Sequence, residues 1–350
     1  MTLPTNVKAR NQIAVLAAAV AVLSAALPIG RSLAAQADGQ KAGKPAERIV
    51  QVQSKDDIVD SGVLFTPPKD VAKPIAVIWI HGWGVNFYFS TYVAISRALA
   101  ERGYTTITGN TRMHDLGNVE AWRGEKRIRG GGYWGVNSEQ IRDLAAWIDF
   151  AEGLGFRQVV LVGHSAGATA VQTYQAQTQD NRVVGVVLAS GNVRPDTRVP
   201  PPEWLSQAKQ LIADGRSEEL VQGPFVSAAT FTDLVSTSPE FKDFFGVQTA
   251  NAGVARIHCP LLAFFGTDGD VGSEEDLQLL KSSIKRQHTG PSHVDTAMIQ
   301  GAGHMYAGQE ERVAQVIASW VDTLLSASIG KRESPTALGA GGRGQVYREW

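Results

Sequence analysis

The chain has 350 residues, 43% of them apolar and 19% charged, with a formal net charge of −1. That is the composition of a globular protein large enough for a full α/β core, and it offers no general attraction to a polyanion such as nucleic acid. One cysteine excludes an internal disulfide, and no pair among the seven histidines stands at metal-ligand spacing with a third ligand nearby, so no zinc framework is expected.

Residues 1–35 read as a secretory signal peptide. Lys8 and Arg10 precede an apolar, Ala-rich run over 13–27. Pro28 and Gly30 break that run, and Ser32-Leu33-Ala34-Ala35 offers small residues for cleavage. The run is short beside the roughly 20 residues that span a bilayer. Export to the periplasm or beyond is expected, with no stable membrane insertion after cleavage; an uncleaved N-terminal anchor is the alternative. No cysteine stands near the cleavage site, which excludes lipid attachment there. Residues 36–47 read as a linker.

Strands are expected at 48–53 and 61–66, as a hairpin. The run IAVIWI at 75–80 is apolar throughout, as in a strand covered on both faces. A helix follows over 89–102, with Tyr92, Ile95 and Leu99 at helical spacing and Gly103 at its end. A strand comes next at 104–108, then a long irregular stretch over 110–135, rich in Gly and Arg. Asn137 starts a helix running to 153, with Gln140 three residues on and Ile141, Leu144 and Ile148 on one face. A strand at 159–163, a helix at 166–177 and a strand at 183–189 complete this alternation.

Over 192–255 the rhythm stops. Prolines and scattered phenylalanines there read as a helical cap inserted above the strand ends. Cys259, before Pro260 and an apolar run, reads as an inert core thiol. The rhythm resumes with a strand at 261–265, a helix at 274–286, a strand at 294–299 and a closing helix at 310–325. Residues 329–350 read as a disordered tail. The alternation over 48–328 implies one α/β domain, a mostly parallel sheet with helices on both faces.

Gly163-His164-Ser165-Ala166-Gly167 fits G-x-S-x-G, and it sits where an apolar strand turns into a helix. In so tight a turn the residues two before and two after the serine must be small. A bare pentapeptide of this kind arises by chance; its strand–turn–helix setting makes Ser165 a candidate nucleophile. A hydroxyl is a weak nucleophile and needs a base within reach. His304, in the Gly-flanked loop between the last strand and the closing helix, can fold back over the strand tips. His258, His288 and His293 fall at the opposite end of the sheet, and His164 reads as a packing residue beside the nucleophile. The base in turn needs a carboxylate to orient it. Asp268 and Asp270 both follow the strand at 261–265. Asp270 is preferred, since Asp268 before Gly269 has the character of a turn former. His81-Gly82-Trp83-Gly84, directly after the strand at 75–80, lets backbone amides approach a substrate. The Trp83 and Ala166 amides are the expected oxyanion donors.

Taken together, HGWG, GHSAG, GTDGD and GAGH, each at the end of an expected strand, closely resemble the α/β-hydrolase superfamily over residues 75–325. The resemblance implies that fold, with Ser165 as nucleophile, His304 as base, Asp270 as acid and Trp83 and Ala166 at the oxyanion hole. One position departs from it. The family's acid commonly stands three residues after the strand-end glycine, where this chain has Gly269. The expected activity is hydrolysis of a carboxylic ester, or a related acyl bond, in a small-molecule substrate, with no metal or organic cofactor. An acyltransferase on the same residues and a non-catalytic binding protein are the rivals. Among weaker signals, His114 follows the strand at 104–108, and Arg127 and Arg129 read as part of a solvated loop. Trp83, Phe87 and Tyr88 either line a pocket or pack under the cap.

Overall fold

The computed structural model describes residues 44–191, 193 and 199–333. The expected signal peptide, most of the expected linker and residues 334–350 of the expected tail lie outside them. The described chain opens with an antiparallel hairpin of β1 (Ala46–Gln53) and β2 (Ile58–Thr66). It continues through β3 (Ala76–Ile80), α1 (Ser90–Glu101), β4 (Thr105–Gly109), a second hairpin of β5 (Asn118–Arg123) and β6 (Lys126–Gly130), α2 (Gln140–Gly153), β7 (Val159–His164), α3 (Ala166–Thr178) and β8 (Val183–Ala189). Three helices follow, α4 (Pro202–Ala213), α5 (Ala228–Ser236) and α6 (Pro239–Lys242). After them come β9 (Leu261–Gly266), α7 (Glu274–Gln287), β10 (Val294–Ile299) and α8 (Glu310–Glu333).

These strands form one sheet in the order β10-β9-β8-β7-β3-β4-β2-β5-β6, with β1 paired to β2. From β10 to β4 every neighbour is parallel; β1, β2, β5 and β6 join antiparallel. The sheet is covered on both faces, and the pleat divides each strand between them. Ala76, Ile78 and Ile80 of β3 point to a core shared with Leu144 and Trp147 of α2, Val171 and Tyr174 of α3 and Leu277 of α7. Val77 and Trp79 point the other way, to Tyr92, Ile95 and Leu99 of α1 and Val313, Ile317 and Trp320 of α8. The mostly parallel α/β sheet expected from the alternation is the sheet observed.

Boundaries differ in three places. The stretch over 110–135 is not irregular throughout, because β5 and β6 form a hairpin that extends the sheet beyond β2. Its strands carry charge where a strand pattern needs apolar residues. Lys126 and Arg127 are exposed, and Ile128 is the sole large apolar residue of β6, so period-two alternation is absent from the sequence. Ala46 and Glu47, assigned to the linker, already pair with β2. Residues 329–333, assigned to the tail, continue α8. A helix can run on past the apolar face it buries, since each added residue closes a backbone hydrogen bond.

The segment after β8 has a small core of its own, made by Ala208, Leu211, Val221, Val226, Ala228 and Phe231. Ser227 caps α5 by accepting from the Thr230 amide at 3.1 Å. The same residue's amide donates to the Tyr133 carbonyl at 2.7 Å, tying this segment to the loop after β6. Among the described residues no helix is long and apolar enough to cross a membrane.

Because β3, β4, β7, β8, β9 and β10 run parallel, their C-terminal ends share one edge of the sheet. The loops that begin there, at His81, Asn110, Ser165, Ser190, Thr267 and Gln300, are the ones a ligand would meet.

Candidate active site

Ser165 lies between β7 and α3 with φ 55° and ψ −119°. An L-residue is strained there, and the surroundings enforce it. Its amide donates to the Ala189 carbonyl at 2.9 Å. A Cβ on Gly163 would collide with the Gly167 carbonyl, and one on Gly167 would collide with the carbonyls of Ile80 and His81. Both glycines are therefore required by close backbone approach, as the tight turn demands. The turn also brings the loop after β3 against the serine: a methyl on Gly82 would stand 3.0 Å from Ser165 Cβ.

That loop is pinned from below by His81. Its Nε2 accepts from the Thr111 amide at 3.0 Å, and its Nδ1 lies 2.7 Å from the Gly82 carbonyl. Burial pushes the His81 ring down to about 4, so it stays neutral, with Nε2 bare and the proton on Nδ1. Trp83 is half exposed, its ring edge-on to Tyr133 at 6.4 Å. Among the described residues nothing accepts from the backbone amides of Trp83 or Ala166. Ala166 is the first residue of α3, where the helix leaves amides unpaired and its dipole is positive.

His304 sits in the loop between β10 and α8. Its Nδ1 is 2.8 Å from Asp270 Oδ1. Asp270 receives three further donors: the Gly266 amide at 2.6 Å, the Val271 amide at 2.7 Å and the Ser190 hydroxyl. Burial alone would raise this carboxyl; the bonds from His304, Ser190 and the two amides outweigh it and hold Asp270 below its ordinary value. The carboxylate side chain is fully covered, while the imidazole is 31% exposed. Among the described residues Asp268 makes no bond to His304; its carboxylate takes the Thr267 hydroxyl at 2.9 Å.

The structure thus joins His304 to Asp270 directly. The His304 ring also packs on His164, the residue before Ser165, with centroids 4.8 Å apart. The Ser165 hydroxyl itself has no hydrogen-bond partner among the described residues. Two residues behind Asp270 are not marked by the sequence reading, Ser190 and Tyr306. The available signal was positional: Ser190 directly follows an apolar strand on the loop-bearing edge, and Tyr306 is two residues after His304. Of the weaker candidates, His114 pairs with Asp115 at 2.8 Å, away from the Ser165 turn in sequence and bonding. Arg129 lies over the Trp134 ring, 5.5 Å from its centroid. Cys259 is pushed up to about 12 by burial, which leaves a protonated, unreactive thiol. Among the described residues no group of three or more His, Cys, Asp or Glu side chains is placed to hold a metal ion.

This geometry can support proton transfer at an imidazole oriented by a buried carboxylate, beside a strained serine and free backbone donors. Solved structures of similar fold include esterases. Est1E from Butyrivibrio proteoclasticus is 16% identical, with 79% of this chain and 99% of that one aligned at a TM-score of 0.52. A putative aryl esterase from Burkholderia cenocepacia is 20% identical, covering 80% and 100% at 0.51. The Pyrococcus furiosus esterase Pf2001 is 15% identical, covering 81% and 90% at 0.50. At these identities the likeness is one of fold. Among curated proteins none matches the sequence. The profile of the alpha/beta hydrolase family matches residues 77–316, more than half of the chain and every loop described above. The chain belongs to the alpha/beta hydrolase family.

Proposed function

We propose that this protein is a serine hydrolase that cleaves carboxylic esters through an acyl-enzyme on Ser165. His304 Nε2 takes the hydroxyl proton as Ser165 Oγ attacks the ester carbonyl. The Trp83 and Ala166 amides hold the oxyanion, aided by the positive end of α3. His304 then protonates the departing alcohol and, in the second half, activates water to release the acid. Asp270 remains ionised throughout, fixing the imidazole tautomer and stabilising its cation. The insertion over 192–255 acts as a cap that selects the substrate, and the N-terminal segment directs export.

The observation that carries this reading is the 2.8 Å contact between His304 Nδ1 and Asp270 Oδ1. It is made in a loop that lays the same imidazole against the residue before Ser165. Four donors on Asp270 keep the pair poised for use as a base. Trp83, half exposed and edge-on to Tyr133, favours an ester with a flat or apolar acyl group.

The test is a series of p-nitrophenyl esters of graded chain length, with wild type and Ser165→Ala compared. Turnover by wild type should fall by about a thousandfold or more in the variant. Equal turnover by both proteins, or none by wild type on any ester, would remove the assignment. Added alcohol acceptors separate hydrolysis from acyl transfer by the product formed.

A further inference from the structure

We propose that Tyr92 and His164 are positioning residues that lock the oxyanion turn to the loop of the base through one directed chain of hydrogen bonds. The proposal rests on the serine-hydrolase reading above. The chain runs from the Gly82 amide to Tyr92 Oη at 3.3 Å, from Tyr92 Oη to His164 Nδ1 at 2.7 Å, and from His164 Nε2 to the His304 carbonyl at 2.8 Å.

Chemistry sets its direction. A carbonyl oxygen can only accept, so His164 Nε2 carries the ring proton. His164 is fully buried, and burial, with the His304 ring beside it, pushes this imidazole down to about 4. The ring is therefore neutral, and Nδ1 is a bare acceptor. Tyr92 must donate its hydroxyl proton to Nδ1. The phenol oxygen then accepts, and the Gly82 amide is the donor that faces it. For the neutral ring, the other tautomer would set bare Nε2 against the His304 carbonyl and Nδ1–H against the Tyr92 hydroxyl where water does not reach, and a buried group left unmatched in that way is costly.

Each end of the chain stands next to the reacting groups. Gly82 precedes Trp83, whose amide is an oxyanion donor. His164 precedes Ser165. The carbonyl that His164 holds belongs to His304 itself. The bonded residues are 72 and 140 positions apart in sequence, so the chain closes contacts that no local structure supplies. Ring packing prevents the imidazole from turning: Tyr92 lies 5.4 Å from His164 and Tyr306 lies 5.3 Å from it, both edge-on. With both ring nitrogens engaged, His164 cannot serve as a second base for Ser165. It acts through His304, by fixing where that residue's backbone stands.

The experiment measures kcat and KM on p-nitrophenyl acetate, with thermal melting, for wild type, Ser165→Ala, Tyr92→Phe, His164→Gln and His164→Asn. Tyr92→Phe removes one oxygen and both of its bonds. It should lower kcat about 10- to 100-fold with KM within about twofold, as expected when reacting groups are displaced by a fraction of an ångström. A glutamine at 164 places an amide N–H near Nε2 and can still hold the His304 carbonyl. An asparagine places an oxygen near Nδ1 and can accept only from Tyr92. His164→Gln should therefore retain more kcat than His164→Asn. A Tyr92→Phe enzyme with wild-type kcat, or with a defect confined to KM, overturns the proposal. Should Tyr92→Phe fail to fold, equal kcat in the two His164 variants overturns it instead. An active wild type with an inactive Ser165→Ala keeps those outcomes separate from failure of the serine-hydrolase reading. A Ser165→Ala variant as active as wild type would remove both.

Discussion

Ser190 and Tyr306 both hold left-handed backbone angles, φ 48° and 57°, and their hydroxyls meet directly behind Asp270. Each such angle costs a non-glycine residue roughly 1–3 kcal/mol and persists where packing over-determines it. A carboxylate only accepts, so the Ser190 hydroxyl donates to Asp270 Oδ2 and the Tyr306 hydroxyl donates to Ser190. Ser190→Ala removes one of four donors to the acid. It should lower kcat about tenfold, the scale of one hydrogen bond to a charged group. Tyr306→Phe, one bond further away, should cost less than Ser190→Ala. Steady-state kinetics on one ester measures both.

The role proposed for Asp270 is tested by a pair of isosteric changes. Asp270→Asn keeps the shape but loses the charge that orients the imidazole, and kcat should fall by about 10³–10⁴. Asp268→Asn should stay within about threefold of wild type, since its carboxylate faces Thr267. A larger loss at position 268 than at 270 would transfer the role.

The glycines flanking Ser165 predict a stability effect. Gly163→Ala and Gly167→Ala each drive a methyl into backbone rather than into a yielding side chain. Each should cost about 3 kcal/mol or more in urea unfolding, at or beyond the upper end of overpacking penalties. A variant with wild-type stability would show that the turn has room the structure denies it.

Asp60 predicts a pH effect away from the site. It is fully buried on β2, and neither carboxylate oxygen has a partner among the described residues. Burial, then the nearby Asp143, raises its pKa well above the ordinary 3.8. The folded state therefore holds a proton that the unfolded state releases. Stability is unaffected below the unfolded pKa and falls as pH rises from there through the folded value. Asp60→Asn removes that loss. Its Tm advantage over wild type should be small near pH 4 and grow to about 2–5 °C near pH 8. An advantage independent of pH would mean that Asp60 does not hold a proton in the fold.

Much of this architecture could be read before any coordinates because its signals are local. The strand at β3 is an unbroken apolar run, and Ser165 sits between glycines at a strand–helix junction. The hairpin of β5 and β6 is not legible, since Lys126, Arg127 and Arg129 break the apolar alternation of β6 and the pairing depends on Ile58 and Val59 at the start of β2. The loop after β9 offers two aspartates, and the turn-forming character of Asp268 before Gly269 favours Asp270. What spacing cannot display is a donor 80 residues away, the Ser190 hydroxyl, or an imidazole 34 residues on. Tyr92 is legible as a buried position of α1 through its helical spacing, but its hydroxyl meets partners from the loop after β3 and the end of β7. Residues whose role depends on such long-range contacts carry no local signature.

The proposed function makes Ser165 the nucleophile and His304 the group that activates it. The direct measurement is reaction of the intact protein with a fluorophosphonate, followed by mass mapping of the adduct in wild type and in His304→Ala. The serine-hydrolase assignment predicts one phosphonyl group, on the peptide containing Ser165, formed far more slowly without His304. A modification mapped to any other residue, or labelling at an unchanged rate in His304→Ala, would contradict it.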